Sequence, residues 1–255
     1  MCILFIAKEQ RKDYPLIIAA NRDEFYDRPT QSSHIWCSHP PIFAGKDLKA
    51  GGTWMGVTRG GRIAALTNIR KPDSDSDSAR SRGELVVDYL LSQHSDSDYQ
   101  QQLTQQSGQY NGFNLLYGNW KSLKVFNNHT QQHESLTDGV HGLSNATLNA
   151  PWPKVSRGVG ALSEYCSGTS TLTEDALFSL LRDATQAPDE MLPDTGIDKA
   201  WEKTLSPIFI QSPDYGTRSS TLLLVRRDGS ASWFERTFDP EGKQVGQASA
   251  LFQFT

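Results

Sequence analysis

The chain has 255 residues, with 25 Lys and Arg against 29 Asp and Glu and a formal net charge of −4. Its basic residues gather in no one segment, which argues against a nucleic-acid or polybasic membrane surface, and no apolar run approaches the roughly 20 residues that span a bilayer. The apolar stretch after Cys2 is too short for a secretion signal, and three scattered cysteines (Cys2, Cys37, Cys166) form neither a disulfide framework nor a zinc cluster, so a reducing, cytoplasmic setting is expected.

Cys2–Ala7 and Leu16–Ala20 are short, rich in Ile and Leu, and apolar on both faces, which predicts strands buried on both sides. Asn21-Arg22-Asp23-Glu24 follows at once, placing polar groups where a central strand ends. Its plainer reading is a solvated turn. Gly51–Thr58 and Arg62–Asn68, joined by Arg59-Gly60-Gly61, predict a hairpin. Alternating Asp and Ser over Asp73–Ser78 cannot pack, so a mobile loop is expected near residues 72–80.

Ser81-Arg82-Gly83-Glu84 has capping-box spacing ahead of the apolar stripe Leu85, Val86, Tyr89 and Leu90, and predicts a helix. The polar Ser92–Gln109 stretch suits a second, exposed helix. Phe113–Tyr117 and Leu123–Phe126 are expected strands. After Pro151, Val155, Val159, Leu162 and Cys166 share one helical face. Thr171-Leu172-Thr173-Glu174 opens another helix through Leu181. Pro207–Ile210, Thr217–Val225, Ser230–Phe238 and Ala248–Phe254 predict an antiparallel set. With no dividing linker or repeat, the whole of 1–255 is expected to form one α+β layered domain.

Position two carries the most informative chemistry. A residue as small as Cys2 permits removal of the initiator methionine, which would leave a thiol beside its own α-amine. That amine, with an ordinary pKa of about 7.7–8.0, can take the thiol proton at neutral pH, so one residue supplies nucleophile and base. The plainer reading is a small apolar residue opening a buried strand. If the first two strands pair, Arg22 could stabilise the thiolate and Asp23 hold the ammonium. Asn68 ends another strand and could donate to an oxyanion. Asn145 and Arg218, each near the start of a later element, complete the ordered polar set; loop Asn and Arg are more commonly structural.

These residues sit in blocks that closely resemble the NRDE family, the family of transport and Golgi organisation protein two: Ala19–Tyr26, Gly51-Gly52-Thr53-Trp54, Ala64–Asn68 and Arg82–Leu85. Tyr110–Leu115, Gly142–Asn145, Pro151-Trp152-Pro153-Lys154 and Tyr215–Arg218 extend the likeness over most of the chain. That family is similar to N-terminal-nucleophile hydrolases of the choloylglycine and penicillin-acylase type. The resemblance implies a four-layer αββα sandwich and a catalytic set of Cys2, Arg22, Asp23, Asn68, Asn145 and Arg218. In those enzymes two residues separate the early Arg and Asp, whereas here they are adjacent.

Two functions follow. The resemblance implies an intracellular binding and trafficking protein, with haem, an acyl-CoA or another lipid as cargo, and this reading leads. No Cys-x-x-Cys-His motif is present, so haem would be a non-covalent cargo rather than a required cofactor, and no metal site is expected. Of six histidines, His34 and His39 lie near Trp36 and Cys37 and are the candidate cargo ligands; the plainer reading is surface or core filling. The alternative is hydrolysis of non-peptide C–N amide bonds in small acyl amides. A third option is a scaffold that binds a protein through the same fold.

Overall fold

The computed structural model describes residues 2–72, 75–76 and 78–254. The chain opens with β1 (Cys2–Lys8), β2 (Leu16–Phe25), β3 (Thr30–Trp36), β4 (Ile42–Asp47), β5 (Met55–Thr58) and β6 (Arg62–Asn68). Helices α1 (Gly83–Leu91) and α2 (Asp96–Gln106) precede β7 (Phe113–Asn119), β8 (Ser122–Asn127), β9 (Gln132–Ser135) and β10 (Gly139–Leu143). Then come α3 (Pro153–Ser167), α4 (Glu174–Leu181), α5 (Lys199–Thr204), β11 (Tyr215–Val225), β12 (Ser230–Phe238) and β13 (Gln244–Gln253).

The strands form two antiparallel sheets, one in the order β10-β1-β2-β11-β12-β13 and the other running β3 to β9 in sequence. Strand alternation sorts the apolar side chains into layers. In β1 and β2, Leu4, Ile6, Leu16, Ile18 and Ala20 face the second sheet and pack with Val57, Ile63, Leu116 and Trp233. The intervening Ile3, Phe5, Ile17 and Ala19 pack under α3 and α4. Helices α1 and α2 cover the outer face of the second sheet through Leu85, Tyr89, Tyr99 and Leu103. Two sheets between two helical layers make the α+β, four-layer αββα sandwich. Close approach of α3 to β1 needs Gly158, because a Cβ there would fall inside the Phe5 ring.

Several expectations are corrected. β2 does not stop at Ala20 but runs through Phe25, so Asn21-Arg22-Asp23-Glu24 is ladder-paired and not a solvated turn. Pro207–Ile210 is no strand: Asn21 Nδ2 takes the Ile208 carbonyl at 2.9 Å and Thr217 Oγ1 accepts from the Ile210 N–H at 2.9 Å, so side chains satisfy backbone that a ladder would otherwise pair. Helix α1 is entered from Arg82 without a side-chain cap, and Glu84 pairs instead with Arg80 at 2.7 Å. The other expected capping box, Thr171 to Glu174, is also not used: α4 begins at Glu174 and its cap is Thr173, which accepts from the Ala176 N–H. In the expected mobile loop, Asp73, Ser74 and Asp77 lie outside the described residues, while Ser76 is tied to Asn111 by two hydrogen bonds. Among the described residues no helix is long and apolar enough to cross a membrane.

Candidate active site

Register decides the site. Cys2 is the antiparallel partner of Arg22, so the two side chains share a face, and Asp23 lies one residue past the point where β1 begins. Both Arg22 and Asp23 are buried, at 5% and 1% exposure, while Cys2 is half-buried. Burial pushes the Cys2 thiol above its ordinary value; the Arg22 guanidinium and the Asp23 backbone N–H act in the opposite direction. Burial therefore favours the neutral thiol over the thiolate.

The two neighbours meet different surroundings because adjacent strand residues face opposite sides. Arg22 points between the sheets, its guanidinium 4.3 Å from the centroid of the Trp54 ring and 3.1 Å from Thr30 Oγ1. Asp23 points toward the helices, where Thr217 Oγ1 donates to Oδ1 at 2.7 Å. Burial raises the Asp23 carboxyl above the usual carboxylate range, and the Lys154 charge offsets part of that rise.

A cleft of about 610 Å³ opens beside Cys2, and Arg22, Asp23 and Asn68 line it with Cys2. Its walls are mainly polar. Arg22, Arg28, Lys49, Arg80 and Arg82 supply five cations, against the carboxylates of Asp23, Glu24 and Asp47. Arg28 is engaged by Asp47 at 2.7 Å, whereas Arg82 directs Nη1 to the Gly112 carbonyl at 3.0 Å and keeps further donors. Four of the six sequence candidates thus share one cleft.

The remaining two stand apart from it. Asn145 is fully buried one layer deeper and does not line the cleft; it reaches the cleft wall through Asn68, whose backbone carbonyl accepts from Asn145 Nδ2 at 2.9 Å. Arg218 does not line the cleft. A bulge between Thr217 and Ser219 takes it out of strand alternation, and its Nη1 donates to the carbonyls of Phe25 and Arg28 at 2.7 and 3.1 Å. It borders instead a smaller cavity of about 200 Å³ with Trp54, Ser219 and Glu235.

The cargo-ligand candidates also lie elsewhere. His34 sits on β3, its Nδ1 2.9 Å from the Ser32 carbonyl, and His39 is exposed in the following loop; neither lines the Cys2 cleft. Among the described residues no three His, Cys, Asp or Glu side chains converge as metal ligands would. Met1, whose removal the nucleophile would require, lies outside the described residues.

Residue-by-residue reading missed a buried polar layer behind the cleft. Lys154, on the first turn of α3, is 2% exposed and donates to the Leu205 carbonyl at 3.1 Å and to Asn145 Oδ1 at 3.4 Å. Burial pulls its ammonium down to about 7. Arg70 is paired with the equally buried Glu202 and also reaches Asn145 Oδ1 at 3.4 Å. The available signal was a lysine inside the Pro151-Trp152-Pro153-Lys154 block at a helix entry, immediately before the apolar stripe.

Comparison with known proteins agrees with this architecture. A worm protein, the Caenorhabditis elegans N-acylethanolamine-hydrolyzing acid amidase ortholog, superposes with a TM-score of 0.51 over 88% of this chain and 92% of its own at 11% identity, a likeness of fold alone. In sequence, the Transport and Golgi organization protein 2 homolog of Bos taurus is 35% identical over 93% of both chains. The Mus musculus homolog is 34% identical over the same shares. The family profile for Transport and Golgi organisation 2 matches residues 1–240. The chain belongs to the Transport and Golgi organisation 2 family.

Proposed function

We propose that the Cys2 cleft hydrolyses the C–N bond of small acyl amides that carry an acidic group. The observation behind this reading is the convergence of Cys2, Arg22, Asp23 and Asn68 on one polar, cation-rich cleft. With Met1 removed, the α-amine of Cys2 would lie next to Asp23, which would hold its ammonium form in turn. The amine takes the thiol proton, Cys2 Sγ attacks the amide carbonyl, and the Asn68 side chain donates to the oxyanion. Collapse to a thioester expels the amine, which leaves with the proton, and water then hydrolyses the thioester to the acid and restores the thiol. Arg82 and Lys49 suit a substrate carboxylate at the rim. A cytoplasmic, reducing setting suits a nucleophile that must stay reduced.

Intact-mass measurement of Met1 removal, followed by incubation with a series of N-acylglycines, tests the reading. Free glycine release, an acyl adduct on Cys2 under acid quench, and loss of both in Cys2→Ala are expected. A processed chain that neither releases glycine nor acquires an adduct overturns it.

The carrier reading, with haem or an acyl chain as cargo, has less geometric support, because the cleft walls are polar and both His34 and His39 lie off them. A haem titration followed in the Soret region, repeated with His34→Ala and His39→Ala, separates the two.

A further inference from the structure

The layer beneath the cleft contains a lysine that the mechanism above does not use. Three donors converge on one oxygen: Ser144 Oγ at 3.1 Å, Lys154 Nζ at 3.4 Å and Arg70 Nη2 at 3.4 Å all point at Asn145 Oδ1. The two cationic donors disfavour a flip of the carboxamide, because a reversed amide would set its NH₂ against Lys154 and Arg70, neither of which can accept as a cation, although the Ser144 hydroxyl could. Nδ2 therefore stays on the Asn68 carbonyl, and Asn68 lines the cleft beside Cys2. We propose that Lys154 is a positioning residue of this site, orienting Asn145 and through it holding Asn68 on the cleft wall.

Lys154 differs from the other two donors. Ser144 Oγ also lies 3.3 Å from the Cys2 carbonyl, and Arg70 directs Nη1 to Glu202. Lys154 instead divides its donors between Asn145 Oδ1 and the Leu205 carbonyl just after α5, joining α3, the 144–145 loop and α5 at one atom. Burying this ammonium is unfavourable even with the Asp23 and Glu202 carboxylates nearby: burial, helped by the Arg70 charge, lowers its proton affinity, and an apolar residue would serve packing better. A buried cation kept on those terms fits a role in the site.

The kinetic arm rests on the hydrolase reading, whereas the spectroscopic arm does not. In Lys154→Met, kcat for the N-acylglycine is expected to fall about tenfold or more with KM within about twofold, because the substrate-binding rim is untouched. The side-chain NH₂ pair of Asn145, assigned by its loss in Asn145→Asp, is expected to move in ¹H–¹⁵N spectra of Lys154→Met and to return toward its native position in Lys154→Arg. Should Lys154→Met not fold, Lys154→Ala, which also removes the donor, is read in the same two ways. An Asn145 pair that stays in place in the folded variant overturns the inference. If the native protein turns over no amide, the hydrolase reading fails while the spectra still decide the role of Lys154.

Discussion

Arg22 and Asp23 are neighbours in sequence and both almost fully buried, yet they belong to different regions of the molecule. Arg22 lies between the sheets, stacked on Trp54 and bonded to Thr30; Asp23 lies under the helical layer, bonded to Thr217 and facing the charge of Lys154. The inter-sheet face handles its charge with an aromatic ring and one hydroxyl at the cleft edge. The helical face handles its charge with a sealed set of compensating groups. Adjacent residues can therefore serve one site only because that site sits at the end of a strand, where both faces are within reach of Cys2.

The comparison breaks most sharply at Trp54. Removing this ring in Trp54→Ala takes away the wall under Arg22 and part of the inter-sheet core, so a loss of about 3–5 kcal/mol in urea unfolding is expected. A loss below about 1 kcal/mol would show that Arg22 does not depend on the ring.

The helical face should betray itself through pH. Lys154 binds its proton less tightly when folded, near pH 7, than its ordinary value of 10.5. Between those values the unfolded chain carries more protons, so stability rises with pH in that window and the Lys154 contribution levels off below it. Urea unfolding of the native protein and Lys154→Met at pH 7, 8 and 9 should show the native protein gaining on the variant, with a slope approaching about 1.4 kcal/mol per pH unit. Parallel pH profiles would mean that the buried lysine keeps its ordinary proton affinity.

A smaller contrast lies in the two hydroxyls. Thr217→Val strips a donor from Asp23 and an acceptor from the Ile210 N–H, both buried, and should cost about 1–3 kcal/mol. Thr30→Val removes the half-buried partner of Arg22 and should cost about 0.5–1.5 kcal/mol. Equal losses would erase the distinction between the two faces.

Much of this was legible beforehand where apolar pattern and chain direction agree. β1, the Val155–Cys166 face of α3 and the β11–β12 pair follow from their apolar periodicity, and the Cys2–Arg22–Asp23–Asn68 grouping follows from colinear motifs. β3 and β4 were not legible: Thr30–Trp36 alternates polar residues outward with only Ser33 buried, so it lacks the apolar repeat of a strand, and it owes its place to β4 and to the Glu235 carboxylate that accepts from Ser33. Arg218 misled for a related reason. Its position in the Tyr215–Arg218 block suggested the site, but a one-residue bulge that leaves no trace in composition turned the side chain away.

The sequence by itself determined the layers, since strands apolar on both faces must be covered on both sides, and it determined that a thiol opens the first of them. Only the tertiary structure decided that Arg22 and Asp23 face opposite ways toward one cleft, that Arg218 leaves it, and that Lys154 lies buried behind Asn145. The first depends on the register that pairs Cys2 with Arg22. The bulge beside Arg218 and the approach of α3 to β1 are set by contacts between residues more than a hundred positions apart, Thr217 with Asp23 and Gly158 with Phe5.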